Sequence, residues 1–248
     1  MSAPPWTRPL HRPGGGDALV FFEVHGTFPE EPPVASTARY HLDAEIAPQI
    51  EVFRLGADAA DRRAGVAWDW FAGDHPALAS QVARAPGAVI IRGQVADPAD
   101  LRYLRHAIGL VQMFLDRGGL AVHDLQTLRW YPADEWRTEL FEPTEFRPHA
   151  HIVILTSAIE GRLWLHTRGM RKFGRPDLSM RGVPPEMRDP AVDLVDRFIG
   201  MQTVGGTIPD GEEIKSRSLP DGLVCRHAGD LEDPDFNNVH VDIDWPVA

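Results

Sequence analysis

Two stretches of this chain carry side chains whose types and spacing can do chemistry. The first is His149-Ala-His151, followed by the run Arg162 to His166. Side chains alternate along an extended segment, so His149 and His151 share one side of it, while His166 stands at the far end of the following run. Imidazole nitrogens ligate divalent metals, which makes His149, His151 and His166 a candidate metal set if the strand register brings them together. Read otherwise, they are histidines beside a strand entrance with structural contacts only. The second stretch is Val239 to Trp245, which alternates strictly and sets His240, Asp242 and Asp244 on one face. Carboxylates beside an imidazole shift each other's proton affinity, so this face suits a hard cation or acid–base work. The competing account is an outer strand whose solvated charges block edge pairing. His123-Asp124, at the end of another strand-like run, reads as a turn rather than a catalytic pair.

Directly behind His166 comes Thr167-Arg-Gly-Met-Arg-Lys-Phe-Gly-Arg-Pro-Asp-Leu178. Gly169 and Gly174 permit backbone angles closed to other residues, Pro176 fixes the exit, and Met170 and Phe173 can plug one helical turn into a core. As a structural crossover, the string needs its cations only for local pairing. As a site, Thr167, Arg168, Gly169, Arg171 and Arg175 form a cationic loop at a strand end, where a guanidinium fork matches a carboxylate or phosphate. A small anionic ligand is the class expected there. The same string, behind a strand that carries Trp164, resembles the T-x-G-[ML]-x-x-F-G-x-P-[DE]-L signature of uncharacterised bacterial domains of unknown function. The resemblance is specific over about residues 85 to 210. It implies a compact α+β domain with a helix packed on a mixed sheet, and it transfers no activity and no catalytic residues.

Other chemistries lack their marks. The sequence shows no phosphate-binding Gly-x4-Gly-Lys loop, no dinucleotide fingerprint after the first strand, no G-x-S-x-G elbow, no H-E-x-x-H and no C-x-x-C. Gly14 to Gly16 precede a strand instead of following one. With 36 acidic against 25 basic residues and a net charge of -11, no nucleic-acid partner is expected. No run of about 18 apolar residues calls for a membrane, and the N-terminus reads without an export signal. The one cysteine, Cys225, follows Leu223-Val224 and reads as a small core residue, which suits a reducing cytoplasm. Lys172 and Lys215 are the only lysines; arginine dominance with abundant Ala, Gly, Pro and Asp points to a GC-rich bacterial genome.

The elements that must position these residues follow from periodicity. Residues 1–16, with four prolines and the glycine run, read as a flexible tail in which Trp6 could dock. Strands are expected at Ala18 to Val24, closed by the Pro29 to Pro33 turn, and at Val66 to Phe71, Ala88 to Arg92, Leu120 to Leu125, Gly222 to His227 and Val239 to Trp245. His151 to Ala158 and Arg162 to His166 read as a hairpin inside a sheet. Helices are expected at Pro76 to Arg84, from Asp97-Pro98 to about 117, at Asp134 to Phe141 and from Asp189-Pro190 to about 203. The order strand, helix, strand over residues 88–125 predicts a parallel crossover. Residues 17–248 then form one α+β domain, with a mixed sheet and helices packed on it, or two sheet-plus-helix halves within it.

The expected function is that of a cytoplasmic binding or regulatory module without cofactor, whose Trp68, Trp70, Trp130, Trp136 and Trp164 offer a surface to a protein, or whose cationic loop holds a small anion. The alternative is a metal-assisted hydrolase built on the histidines, with Asp242 beside His240.

Overall fold

The computed structural model describes residues 6–13, 15–30, 37–56 and 63–246. It is α+β, and its strands form two five-stranded sheets. The chain divides into two compact units. Leu19–Val95 and Asp100–Phe146, with Trp6, make the first; Thr7–Ala18, Ala96–Ala99 and the residues from Arg147 onward make the second. Of the two forms expected, two sheet-plus-helix halves are what is seen. The expectation of one mixed sheet is corrected: residues 88–92 and 120–125 lie in one sheet and the hairpin of 151–166 in the other. Periodicity marks a strand but does not say which strands share a sheet.

In the first unit, β1 (Ala18–Gly26), β2 (Ile50–Leu55), β3 (Gly87–Val95), β4 (Gly119–Asp124) and β5 (Arg129–Pro132) run in the order β2-β3-β1-β4-β5. The helix α3 (Arg102–Leu115) leads from β3 to β4, but these strands are not neighbours, because β1 pairs antiparallel with β4 and occupies the place between them. α3 is buried along its whole length after Arg102. It starts at Arg102 rather than at Asp97, with the Asp100 carboxylate accepting the Arg102 N–H (3.0 Å). Two shorter helices, α1 (Val66–Asp74) and α2 (Pro76–Ala83), cover Ala121 and Trp130.

Val66 to Phe71 is thus helical and not the expected strand. Ala67, Trp68, Phe71 and Ala72 recur at helical spacing and pack around Ala79, Val82, Ala121 and Trp130, while Val66 and Trp70 stay exposed. Six residues are too few to separate the two periods. Ala133–Trp136 (α4) and the π-helical turn Arg137–Phe141 follow β5, and the Trp136 ring meets Phe22 and Tyr131 edge-on (5.3 and 5.6 Å).

The second unit holds β6 (Val153–Ile159), β7 (Arg162–Arg168), β8 (Asp177–Val183), β9 (Cys225–Ala228) and β10 (His240–Asp244), in the order β6-β7-β8-β10-β9. β8 and β10 are parallel; the other pairs are antiparallel. Leu165, Leu178, Met180, Val241, Ile243 and Cys225 are buried, and α5 (Arg188–Thr203) packs on β7 and β8. The hairpin forms as expected, but β6 is an edge strand exposed over Thr156 to Ile159, not an inner one. β10 lies between β8 and β9, so it is not the outer strand of the competing account.

Within the expected flexible tail, Trp6 and Arg8 are buried. The Trp6 indole donates to the Thr144 carbonyl (3.2 Å) in the first unit. In the second, Arg8 donates to the carbonyls of Pro98 (2.7 Å) and Phe173 (2.8 Å). Proline and glycine keep such a segment from coring itself, but they do not keep an indole and a guanidinium from docking. Residues 1–5 and 14 of that tail, the end of the Pro29 to Pro33 turn, and residues 34–36 and 57–62 lie outside the described residues.

Candidate functional site

The string Thr167 to Leu178 is a clasp. Met170–Phe173 forms one helical turn between Gly169 (φ 112°) and Gly174 (φ 58°), both in the left-handed region that glycine enters without penalty. Met170 and Phe173 are fully buried, as the plug reading expects. Asp177, also fully buried, accepts hydrogen bonds from the Thr167 hydroxyl (2.8 Å), the Asn238 amide (2.8 Å) and the Met170 N–H (3.3 Å). The Thr167 oxygen in turn accepts the Leu178 N–H (2.8 Å). Burial pushes the Asp177 carboxyl up to about 6, against the pull of those three donors.

The cations expected to grip an anion are turned to main-chain carbonyls of this chain. Arg175, buried, donates through Nε to Gly206 (2.9 Å), through Nη2 to Gly205 (2.9 Å) and through Nη1 to Gly174 (2.9 Å), with the Asp97 carboxylate at 3.4 Å. Its fork thereby meets the carbonyls just beyond the C-terminal end of α5, where a cation is favourable. Arg168 donates to the Asp235 carbonyl and Arg171 to that of Asn237 (2.7 Å), so both tie down the segment that precedes β10. Lys172, also buried, donates to the His151 carbonyl (2.8 Å). A loop that reads as cationic in sequence thus turns a donor of each of these four side chains to a main-chain carbonyl, and at buried Gly174, Gly205 and Gly206 those carbonyls need partners.

The histidines part company in the same way. His149 is exposed beside Asp196 (3.3 Å), His151 is buried with its ring edge-on to Phe173 (6.2 Å), and His166 stacks on Trp164 (4.1 Å). Among the described residues no group of three or more His, Cys, Asp or Glu side chains could hold a metal ion, so His149, His151 and His166 do not form a metal set. In the register, His166 lies opposite Leu155, well along β6 from the turn that holds His149 and His151.

What the fold does bring together is one face of the second sheet. Pairing sets His166 opposite Ser179, Ser179 opposite Asp242, Asp177 opposite His240, and Arg181 opposite Asp244. The Trp164 indole donates to the Ser179 hydroxyl (3.2 Å), its ring lies against His166, and the Arg181 guanidinium stands over it at 4.2 Å. A second stack joins Phe236 to His240 (4.2 Å), and Phe236 meets His166 edge-on (5.7 Å). His240 sits between two carboxylates, Asp242 at 3.4 Å from Nε2 and Asp233 at 3.9 Å from Nδ1. Burial, and after it the charge of Arg168, pushes the His166 imidazole down to about 4, so it is neutral at pH 7. The result is a layered face, with exposed Arg181 over half-buried Trp164 and the Trp164 ring over buried, neutral His166, edged by exposed Asp244 and half-buried Asp242.

The sequence signals His240 and Asp242 by alternation and Trp164 by its strand, but not Phe236 and Asp233, which come from an irregular loop. It also misses a buried polar cluster in the first unit. Glu23 and His25 are fully buried with their side chains 3.4 Å apart, His123 is 3.6 Å from the same Glu23 oxygen, and Arg63 donates to His25 (3.4 Å). Burial lowers the His25 imidazole. His123 stacks on Trp130 (4.5 Å, 5°), and Asp124 caps its turn through the Gln126 N–H (3.1 Å), as the turn reading expects. The tryptophans do not make one surface: Trp130 and Trp136 are buried, and only Trp70 is largely exposed. An open groove of about 510 Å³ in this unit is lined by His75, Leu78, Pro132, Asp134, Glu135 and Thr138.

No helix among the described residues is long and apolar enough to cross a membrane. Compared with family models, with curated proteins and with solved structures, the chain matches none.

Proposed function

We propose that this chain is a bacterial, cytoplasmic recognition module that binds a protein or a small anionic ligand on the open face of its second sheet. The observation that carries the reading is the Arg181–Trp164–His166 stack (4.2 and 4.1 Å). Trp and Arg are the residue types that dominate binding energy at interfaces, and here Arg181 lies over Trp164, whose indole is held by the Ser179 hydroxyl. Arg181 is exposed, and a guanidinium fork suits a carboxylate or phosphate. A preformed platform of this kind loses little side-chain freedom on binding. The test uses pyrophosphate and citrate titrated calorimetrically, and affinity capture from bacterial lysate, each with the wild type, Trp164→Ala and Arg181→Glu. Binding weakened tenfold or more in both variants, with unchanged circular dichroism, supports the reading. Binding that both substitutions leave intact overturns it.

His240, flanked by Asp233 and Asp242, favours a second reading, an enzyme that uses this imidazole to move a proton. It predicts a turnover lost in His240→Asn and retained in Arg181→Glu.

A further inference from the structure

Each sheet has two edges, and three of the four carry features that discourage pairing with another chain. β2 bears Glu51 and Arg54, β5 bears Arg129 and ends in Pro132, and β9 is four residues long with Arg226 and His227 exposed. β6 has none of these. Its seven residues, Val-Ile-Leu-Thr-Ser-Ala-Ile, hold no charge and no proline, pair with β7 in unbroken register, and are exposed from Thr156 to Ile159.

We infer that β6 is an interaction edge and that its occupant is a second copy of this chain, paired antiparallel about Thr156. In that register Val153 faces Ile159 of the other copy, Ile154 faces Ala158, Leu155 faces Ser157, and Thr156 faces itself. Val153 with Ile159 and Ile154 with Ala158 are apolar pairs, Thr156 with itself is a hydroxyl pair of the kind that stabilises cross-strand contacts, Leu155 meets the small Ser157, and no like charges meet. The flanks agree. Exposed Glu160, at the hairpin turn, comes to the end of the partner strand from which exposed Arg147 and His149 lead in, whereas a parallel pairing would bring Glu160 to Glu160. The sheet thereby continues from one copy into the other, and the main-chain N–H and C=O groups along the outer side of β6 find partners. Because each copy carries a net charge of -11, association strengthens as salt screens the repulsion.

The experiment is sedimentation equilibrium of the full chain at moderate salt over a wide concentration range. The expected result is a mass approaching twice 27.6 kDa, with Thr156→Lys, which sets two lysines face to face at an exposed position, remaining at 27.6 kDa with an unchanged circular dichroism spectrum. A second measurement fixes the register. Under mild oxidation Thr156→Cys forms a disulfide-linked dimer, because the Cα atoms of a directly opposed antiparallel pair lie about 4.5–5.5 Å apart, within the span of a disulfide, while Ala158→Cys, displaced along the strand from its own copy, does not. Buried Cys225 does not compete. A wild-type chain that stays monomeric overturns the inference, and so does a dimer that survives Thr156→Lys or one in which Ala158→Cys cross-links as readily as Thr156→Cys.

Discussion

Replacing Asp177 by Asn tests the clasp and the balance of forces within it. The carboxylate is fully buried, and burial outweighs the donors around it, so its folded-state value rises from 3.8 to about 6. Between those values the folded state binds the proton more tightly than the unfolded chain does. Stability from this group is therefore complete below about pH 4, falls as pH rises, and levels off above about 6. At about 1.4 kcal/mol per pH unit, the fall amounts to about 3 kcal/mol. Asn keeps the shape and one acceptor oxygen, which can still serve Thr167 and Met170. Its NH₂ group, however, stands against the Asn238 amide, which already donates to the Arg175 carbonyl (2.9 Å). That mismatch costs about 1–3 kcal/mol and does not depend on pH. The assay is urea denaturation of both proteins at matched pH values from about 4 to about 7. The stability of the wild type minus that of Asp177→Asn should fall by about 3 kcal/mol across this range. A difference that is flat, or that rises with pH, refutes the reasoning, because the hydrogen bonds from Thr167, Asn238 and Met170 would then outweigh burial.

Replacing fully buried Phe173 by Ala removes the ring that plugs the same clasp and should cost about 3–5 kcal/mol in denaturation; a loss under about 1 kcal/mol would show that the site collapses around the gap or that the turn is not packed. His166 titrates in the opposite sense to Asp177. Its folded-state value of about 4 lies below the ordinary 6.5, so its stability is present above pH 6.5 and lost as pH falls toward 4. His166→Gln should therefore become less sensitive to acid than the wild type over that window, and an identical acid sensitivity would place the imidazole in solvent. Because the two groups oppose each other between about pH 4 and 6, their contributions partly cancel in the wild-type profile, and each appears only as a difference between variant and wild type.

Where periodicity was strong, the sequence alone determined the elements. The Met170 and Phe173 plug, the β6–β7 hairpin, α3, α5 and the alternation of β10 follow from spacing and from Gly and Pro placement, because local sterics and a single buried face dictate them. Where two periods fit a short run, as at Val66 to Phe71, packing of Phe71 and Trp68 on Trp130 decided for helix. Sheet membership and strand order were decided only in the tertiary structure, since hydrogen bonding between strands far apart in sequence leaves no local mark. The cationic loop shows the same limit for function. Arg168, Arg171 and Arg175 have the composition of an anion site, but a guanidinium serves a backbone carbonyl as readily as a carboxylate, and the carbonyls of Gly205, Gly206, Asp235 and Asn237 reach them only after folding. The platform of Arg181, Trp164 and His166 arises from the converse: residues from two strands meet on one face because the β7–β8 pairing brings them there, and no spacing along the chain records that contact.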